Sequence, residues 1–455
     1  MLFFLGSLLG GGVILGYFVM YKKVFKGKKR LAKRSIAIGA LLCIYVVIVL
    51  GATLSRGAYY LGGIRFRPFQ SYLEAWNSGS IGEWRNIILN ICMFVPIGLL
   101  LPLLGKLFEK SWVTYTLGFL FSLLIESVQF IFHRGIAEVD DLINNTVGCM
   151  IGYGFILLWL EAMRRVSGGG KEKRLAIKVK TAQLPLMITL CTFSVIFKMY
   201  DQQEFGNLSI SPTFKINMSN VEWKTNILLS DNKSQAEVYH ATLGTLDEAK
   251  EIANQWFSYS GTVIDESQTN IYDETVIYYS EDSDHTIWID FLGLTIDYNT
   301  WKDSNLQSGY RLEEVAEILG SYGVHLPEDV TFVDEGQGAY RLEAFLTPVE
   351  DYYLDGSIYC ELTVDGKLKS MRNEMIRYDT YKVVDILSEV EAFERLKSGY
   401  VNECYLGFLN LSEPIEIQKV SLQYQLDTKG YYQPVYCFEV LNGAESSQIL
   451  IPAIL

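Results

Sequence analysis

Six stretches of this chain are apolar and close to the length of a bilayer-crossing helix: residues 2–20, 35–54, 87–104, 112–132, 139–160 and 184–199. Hydrocarbon offers no water to solvate backbone amides, so segments of this kind must satisfy their own hydrogen bonds as helices. All six fall in the first 200 of 455 residues, and the two parts of the chain carry opposite charge. Residues 1–200 hold 23 Lys and Arg against nine Asp and Glu, whereas 201–455 hold 16 against 43. The first part is apolar with basic loops, and the second is an acidic, Tyr-rich soluble domain. An acidic balance excludes nucleic acid as the natural partner of the soluble part.

The basic residues also orient the chain. Loop 21–34 has eight Lys and Arg and no acid, loop 161–183 has seven, and loop 105–111 has Lys106 and Lys110. Positive loops stay in the cytoplasm, so the N-terminus, loops 55–86 and 133–138, and all of 201–455 are expected outside. The first span has no positive charge ahead of its apolar core, which distinguishes it from a cleaved signal peptide. The expected architecture is a membrane all-α bundle of about six helices followed by an extracytoplasmic α+β domain with antiparallel sheets. Its parts are 1–34, an N-terminal helix with its basic loop; 35–165, a four-helix membrane domain; 166–183, a cytoplasmic linker; 184–200, a further helix; and 201–455, the outer domain.

Within this greasy half lies the polar run "IESVQFIFHRGIAEVDDLINNTVG", residues 125–148. Glu126, Gln129 and His133 are spaced to share one helical face. Asp141, Asn145, Gly148 and Gly152 share another, and Asn86 and Asn90 a third, all expected at the outer ends of their spans. Ionisable groups at membrane depth are costly, about 2.5–3.5 kcal/mol at the centre on insertion scales, so they face protein or a water-filled cavity. One reading is mutual pairing, with Arg134 neutralising Asp140 or Asp141 and the glycines allowing close helix packing. Another is a pocket open to the outer leaflet, and a packed shell is compatible with it. Oxygen-preferring metal ions would suit Glu126, His133, Asp140 and Asp141, but no tight ligand spacing supports a metal site.

The run "NICMFVPIGLLLP" with Asn90, Phe94, Pro96 and Gly98, then "IESVQ", then "HRGIAEVDDLINNTVGCMIGY", resembles the VanZ-like membrane family. The matching positions are Asn90, Phe94, Pro96, Gly98, Glu126, Gln129, Arg134, Asp141, Asn145, Gly148 and Gly152, and "RPF" at 67–69 resembles the family's outer Pro-Phe. The resemblance covers about residues 35–165. The family is named for a protein linked to teicoplanin resistance, and the resemblance implies a role in envelope homeostasis or glycopeptide tolerance. The ligand would be a lipid-linked wall component in the bilayer. In an enzymatic version Glu126 or Asp141 would be the general base, with Asn90, Gln129, Arg134, Asn145 and Arg67 binding the ligand. Whether the protein is an enzyme stays open at this point. The arginines of loop 55–86, among them Arg67, fit an interfacial belt of Tyr and Trp with arginines reaching to head groups before they fit a dedicated phosphate site.

The outer domain shows amphipathic helices in "TLDEAKEIANQWF", "RLEEVAEILGSYG" and "SEVEAFERLKSG", alternating strands, and a hairpin turn at "VDGK". Its last third resembles PepSY-like modules and regulators of sensor kinases, which implies an envelope protein or a wall fragment as partner and gives a second class of function, a sensor. Cys360, Cys404 and Cys437 leave room for one disulfide. No nucleophile elbow, His-Glu-x-x-His or dinucleotide loop is present, and no cofactor is implied.

Overall fold

A computed structural model describes residues 33–54, 63–133, 135–168, 173–272 and 274–455. The chain divides into two compact units, 1–76 with 80–204 and 77–79 with 205–455. The first expected span, 2–20, lies outside the described residues. The other five stretches each coincide to within a residue with, or fall inside, a helix long and apolar enough to cross a membrane, at Ser35–Thr53, Ile81–Leu104, Ser111–Ile131, Val139–Val166 and Leu175–Gln202.

In unit 1 the helices are α1 (Lys33–Leu54), α2 (Gln70–Ser78), α3 (Ile81–Leu100), α4 (Ser111–Ile131), α5 (Val139–Val166), α6 (Lys173–Thr181) and α7 (Leu184–Gln202). Two short strands, β1 (Gly63–Arg65) and β2 (Ile136–Glu138), pair in parallel. The bundle buries polar side chains beside its apolar core and leaves large apolar ones outside. Ile44, Ile48, Leu120, Leu124 and Ile188 are exposed, while Ser122, Glu126, Asn144, Asn145 and Glu161 are buried. In water that distribution would leave a large aggregating surface; in lipid it is the stable one.

The closest crossing is α3 on α5, and glycines create it. A Cβ on Gly148 would lie 1.9 Å from the Ile91 carbonyl oxygen, one on Gly152 2.0 Å from that of Val95, and one on Gly98 2.0 Å from that of Cys149. Small residues at such a crossing let backbones approach and gain dispersion contact that lipid cannot match. The expected linker 166–183 is partly helical. Val179 at the end of α6 and Ala182 just beyond it are buried against Tyr153 and Leu157 of α5, and Lys178 donates to the Glu109 carbonyl at 2.8 Å. Packing of one apolar edge made this basic stretch a helix.

Unit 2 is rich in antiparallel sheet: fourteen strands form one sheet among the described residues, with a single parallel pairing of Trp223–Thr225 to Ile415–Leu426. Three helices cover it, α8 (Leu246–Tyr259), α9 (Leu312–Ser321) and α10 (Glu389–Lys397). Capping boxes at Thr245 with Glu248 and at Ser388 with Glu391 start α8 and α10, as their sequences foreshadow. The sheet carries two cores. Trp256, Phe257, Val315 and Leu319 of α8 and α9 pack on Val276, Ile287, Tyr298, Tyr340 and Ile358. Ala392, Phe393 and Leu396 of α10 pack on Val238, Ile386, Phe438 and Ile449. The hairpin turn falls where expected, with Gly366 at φ 71°. All seven cysteines are free thiols, so the disulfide for which the sequence left room does not form.

Candidate functional site

The polar faces of three helices do converge. A cavity of about 690 Å³ at one end of the bundle is lined by Asn86 and Asn90 from α3, Glu126 and Gln129 from α4, and Asp141 and Asn145 from α5. Arg65, Ser71, Glu74, Glu83 and Glu138 complete its polar wall, while Ile87, Leu89, Met93, Ile125 and Ile136 supply apolar surface. The basic loop with Lys106 and Lys110, and α6, belong to the opposite end of these helices.

Several polar side chains on the wall are held by specific neighbours. Asn90 Nδ2 donates to Asp141 Oδ1 at 2.5 Å, linking α3 to α5. Asn145 Nδ2 donates to Ser122 Oγ at 2.9 Å, linking α5 to α4. Glu126 accepts the backbone N–H of Glu138 at 3.1 Å, and Gln129 Nε2 donates to the Thr53 carbonyl at 3.3 Å. The parallel β1–β2 pair sets Arg65 opposite Glu138, and the guanidinium bridges Glu138 (3.3 Å) and Glu74 (2.9 Å). Burial, with the Asp141 carboxylate nearby, pushes the Glu138 carboxyl up to about 7, against the pull of Arg65.

Asp140 has a different task from its neighbour. One oxygen accepts the Phe69 N–H, and the other accepts the Ser71 N–H at 2.8 Å and its hydroxyl at 2.7 Å. It therefore caps the start of α2 from 69 residues away, satisfying donors that a helix N-terminus leaves open. Phe69 takes φ 65° to make that turn. Beside it, the Tyr72 hydroxyl donates to Asn144 Oδ1 at 2.6 Å.

The residues singled out in sequence sort as follows. Asn90, Glu126, Gln129, Asp141 and Asn145 share the cavity; Arg134 lies outside the described residues. Arg67 is exposed and is not on the cavity wall, where Arg65 stands instead, because strand pairing turns residue 65 toward Glu138. His133 does not continue the Glu126–Gln129 face. Helix α4 ends at Ile131, and His133 follows at φ 51°, exposed. No cluster of metal-type ligands exists among the described residues. Arg65, Glu74 and the capping role of Asp140 carried no local sequence signal, since each depends on partners far along the chain.

The described wall is rich in acid. Five carboxyl groups, Glu74, Glu83, Glu126, Glu138 and Asp141, face one guanidinium, Arg65, among the described residues. Fold and site together define a multi-pass membrane protein with an acid-rich polar cavity at one end of its helix bundle. A VanZ/LLP1 family profile matches residues 36–160. Protein VanZ of Enterococcus faecium is 32% identical over 113 residues, 25% of this chain and 68% of that protein. The chain belongs to the VanZ family. Among solved structures, an uncharacterised protein from Eubacterium rectale is 12% identical at TM-score 0.26, covering 50% of this chain and 86% of that one. The C-terminal domain of Bacillus megaterium YpeB is 12% identical at TM-score 0.22, covering 47% and 94%. At these scores neither likeness carries an argument about the C-terminal domain.

Proposed function

We propose that this VanZ-family protein acts in the cell envelope, in homeostasis or in tolerance of teicoplanin-type glycopeptides, by engaging a lipid-linked wall component in the cavity. The observation that supports this reading is the convergence of five motif side chains, Asn90, Glu126, Gln129, Asp141 and Asn145, on one cavity from three helices. Packing alone needs a pair or two; a wall of this size made of polar groups suits a ligand. The basic loops favour an orientation with the cavity end and residues 201–455 outside the cell. In an enzymatic version of this reading Glu126 or Asp141 would be the general base in the same cavity.

The test is replacement of the chromosomal copy by Gln129→Ala and Asp141→Ala variants, with protein abundance and teicoplanin susceptibility measured together. Loss of tolerance at normal abundance is the expected result. If both variants behave as the parent and only deletion of residues 205–455 has an effect, the protein is a sensor or regulator acting through its outer domain.

A further inference from the structure

Among the described residues of the cavity wall, the buried donors are committed and buried acceptors remain. Tyr45 donates to the Met93 carbonyl, Thr53 to the Val49 carbonyl, and Ser71 to Asp140. Asn90 donates to Asp141, and Arg65 is held between Glu74 and Glu138. Two amide oxygens on the wall, Gln129 Oε1 and Asn145 Oδ1, are buried and have no hydrogen-bond partner. For Gln129 the orientation of the amide is set by its neighbour. The Thr53 carbonyl only accepts, so Nε2 must face it and Oε1 must face away. Asn145 itself is 2% exposed. A buried polar atom left without a partner marks a place where one arrives from outside the chain.

We infer that the cavity receives a primary ammonium group, held by the Gln129 and Asn145 carbonyl oxygens among the surrounding carboxylates, and that a lipid head group carries it. This rests on the proposed reading of the cavity as the ligand site. An ammonium supplies three donors and no acceptor, which matches a wall of acceptors; a phosphate or a carboxylate would bring only acceptors to it. The lipid follows from the side wall. Leu89 and Cys92 line the cavity yet are exposed, and both stand on the spanning helix α3, so their open side faces hydrocarbon. A head group can thus enter laterally with its chains left in the bilayer.

The test uses the full chain, purified in dodecyl maltoside and titrated with dihexanoyl lipids that share chains and phosphate. Phosphatidylethanolamine carries N–H donors, phosphatidylcholine carries the charge without them, and phosphatidylglycerol carries neither; soluble ethanolamine phosphate tests the source. Phosphatidylethanolamine is expected to bind at least about tenfold tighter than the other two lipids, because a site built for N–H donors rejects ligands that lack them. Gln129→Leu should bring that ratio to within about threefold, and Gln129→Glu, which keeps an acceptor, should retain it. Equal or tighter binding of phosphatidylglycerol or phosphatidylcholine to the parent protein overturns the inference and needs no variant to show it. Equal binding of ethanolamine phosphate keeps the ammonium and removes the lipid. If none of the probes binds but Gln129→Ala still loses tolerance in cells, the ligand site stands and the ammonium falls. If none binds and Gln129→Ala is silent, both fall.

Discussion

Gly152→Ala is the sharpest test of how the membrane unit is held together. The added Cβ would sit 2.0 Å from the Val95 carbonyl oxygen, 2.9 Å from its carbon and 3.0 Å from the Leu99 nitrogen, all backbone atoms of α3. Ordinary contact begins near 3.4 Å, so α3 and α5 must part locally by about 1.4 Å, a shift no side-chain rotation can supply. Overpacking of this kind costs about 1–3 kcal/mol, and backbone neighbours put it toward the upper end. For a unit of this size that corresponds to a fall of roughly 5–10 °C in melting temperature. The same crossing carries the Asn90–Asp141 hydrogen bond, so cavity function should decline with stability. Thermal unfolding of the purified protein in detergent measures it. Gly51→Ala is the matched control: its helix is α1, and a Cβ there meets nothing within 4 Å. That change should be neutral or stabilising by up to about 1 kcal/mol. If Gly152→Ala melts within about 1 °C of the parent while Gly51→Ala does the same, close backbone approach is not what holds α3 to α5.

Three further outcomes are expected. Asp140→Ala should cost about 1–3 kcal/mol, because it removes the cap of α2 and orphans the Phe69 and Ser71 donors; faster hydrogen exchange confined to residues 68–74 is the sign, and unchanged protection there contradicts the assignment. In the C-terminal domain, His285 is 4% exposed, its Nδ1 lies 2.7 Å from the Tyr298 hydroxyl, and burial lowers its pKa. The unfolded chain then binds the extra proton first, so stability is fully present above the ordinary imidazole value of about 6.5 and declines as pH falls below it. Melting of the full chain between about pH 7 and pH 5 should show that slope, and His285→Phe should flatten it; an identical slope in the variant would assign it to other groups. Finally, in a background without native cysteines, Asp201→Cys should label in intact cells and Lys26→Cys only after permeabilisation. The reverse pattern would invert the topology.

Short-range chemistry was legible in the residues alone. Spans longer than the hydrocarbon thickness had to be helices, and five of them are. Asp141 and Asn145 lie one turn apart on α5, as do Asn86 and Asn90 on α3, so the polar faces were legible from spacing alone. The helices of the C-terminal domain were legible at Thr245 and Ser388, where the cap and its glutamate are three residues apart. Partner choice was not legible, because it is decided between residues far apart in the chain. Asp140 and Asp141 are adjacent and chemically alike, yet one caps a helix that begins 70 residues earlier and the other accepts from Asn90 on the cavity wall. Arg65 and Arg67 differ by two positions, and a three-residue parallel pairing with β2 selected the first for the wall. His133 left the face predicted for it because α4 stops at Ile131, a local break that helical spacing does not register. The acceptor-rich character of the cavity was decided at the same level. A list of Asn, Gln and Glu gives both donors and acceptors, and only the packed structure commits the buried donors of the wall and leaves the oxygens of Gln129 and Asn145 without partners.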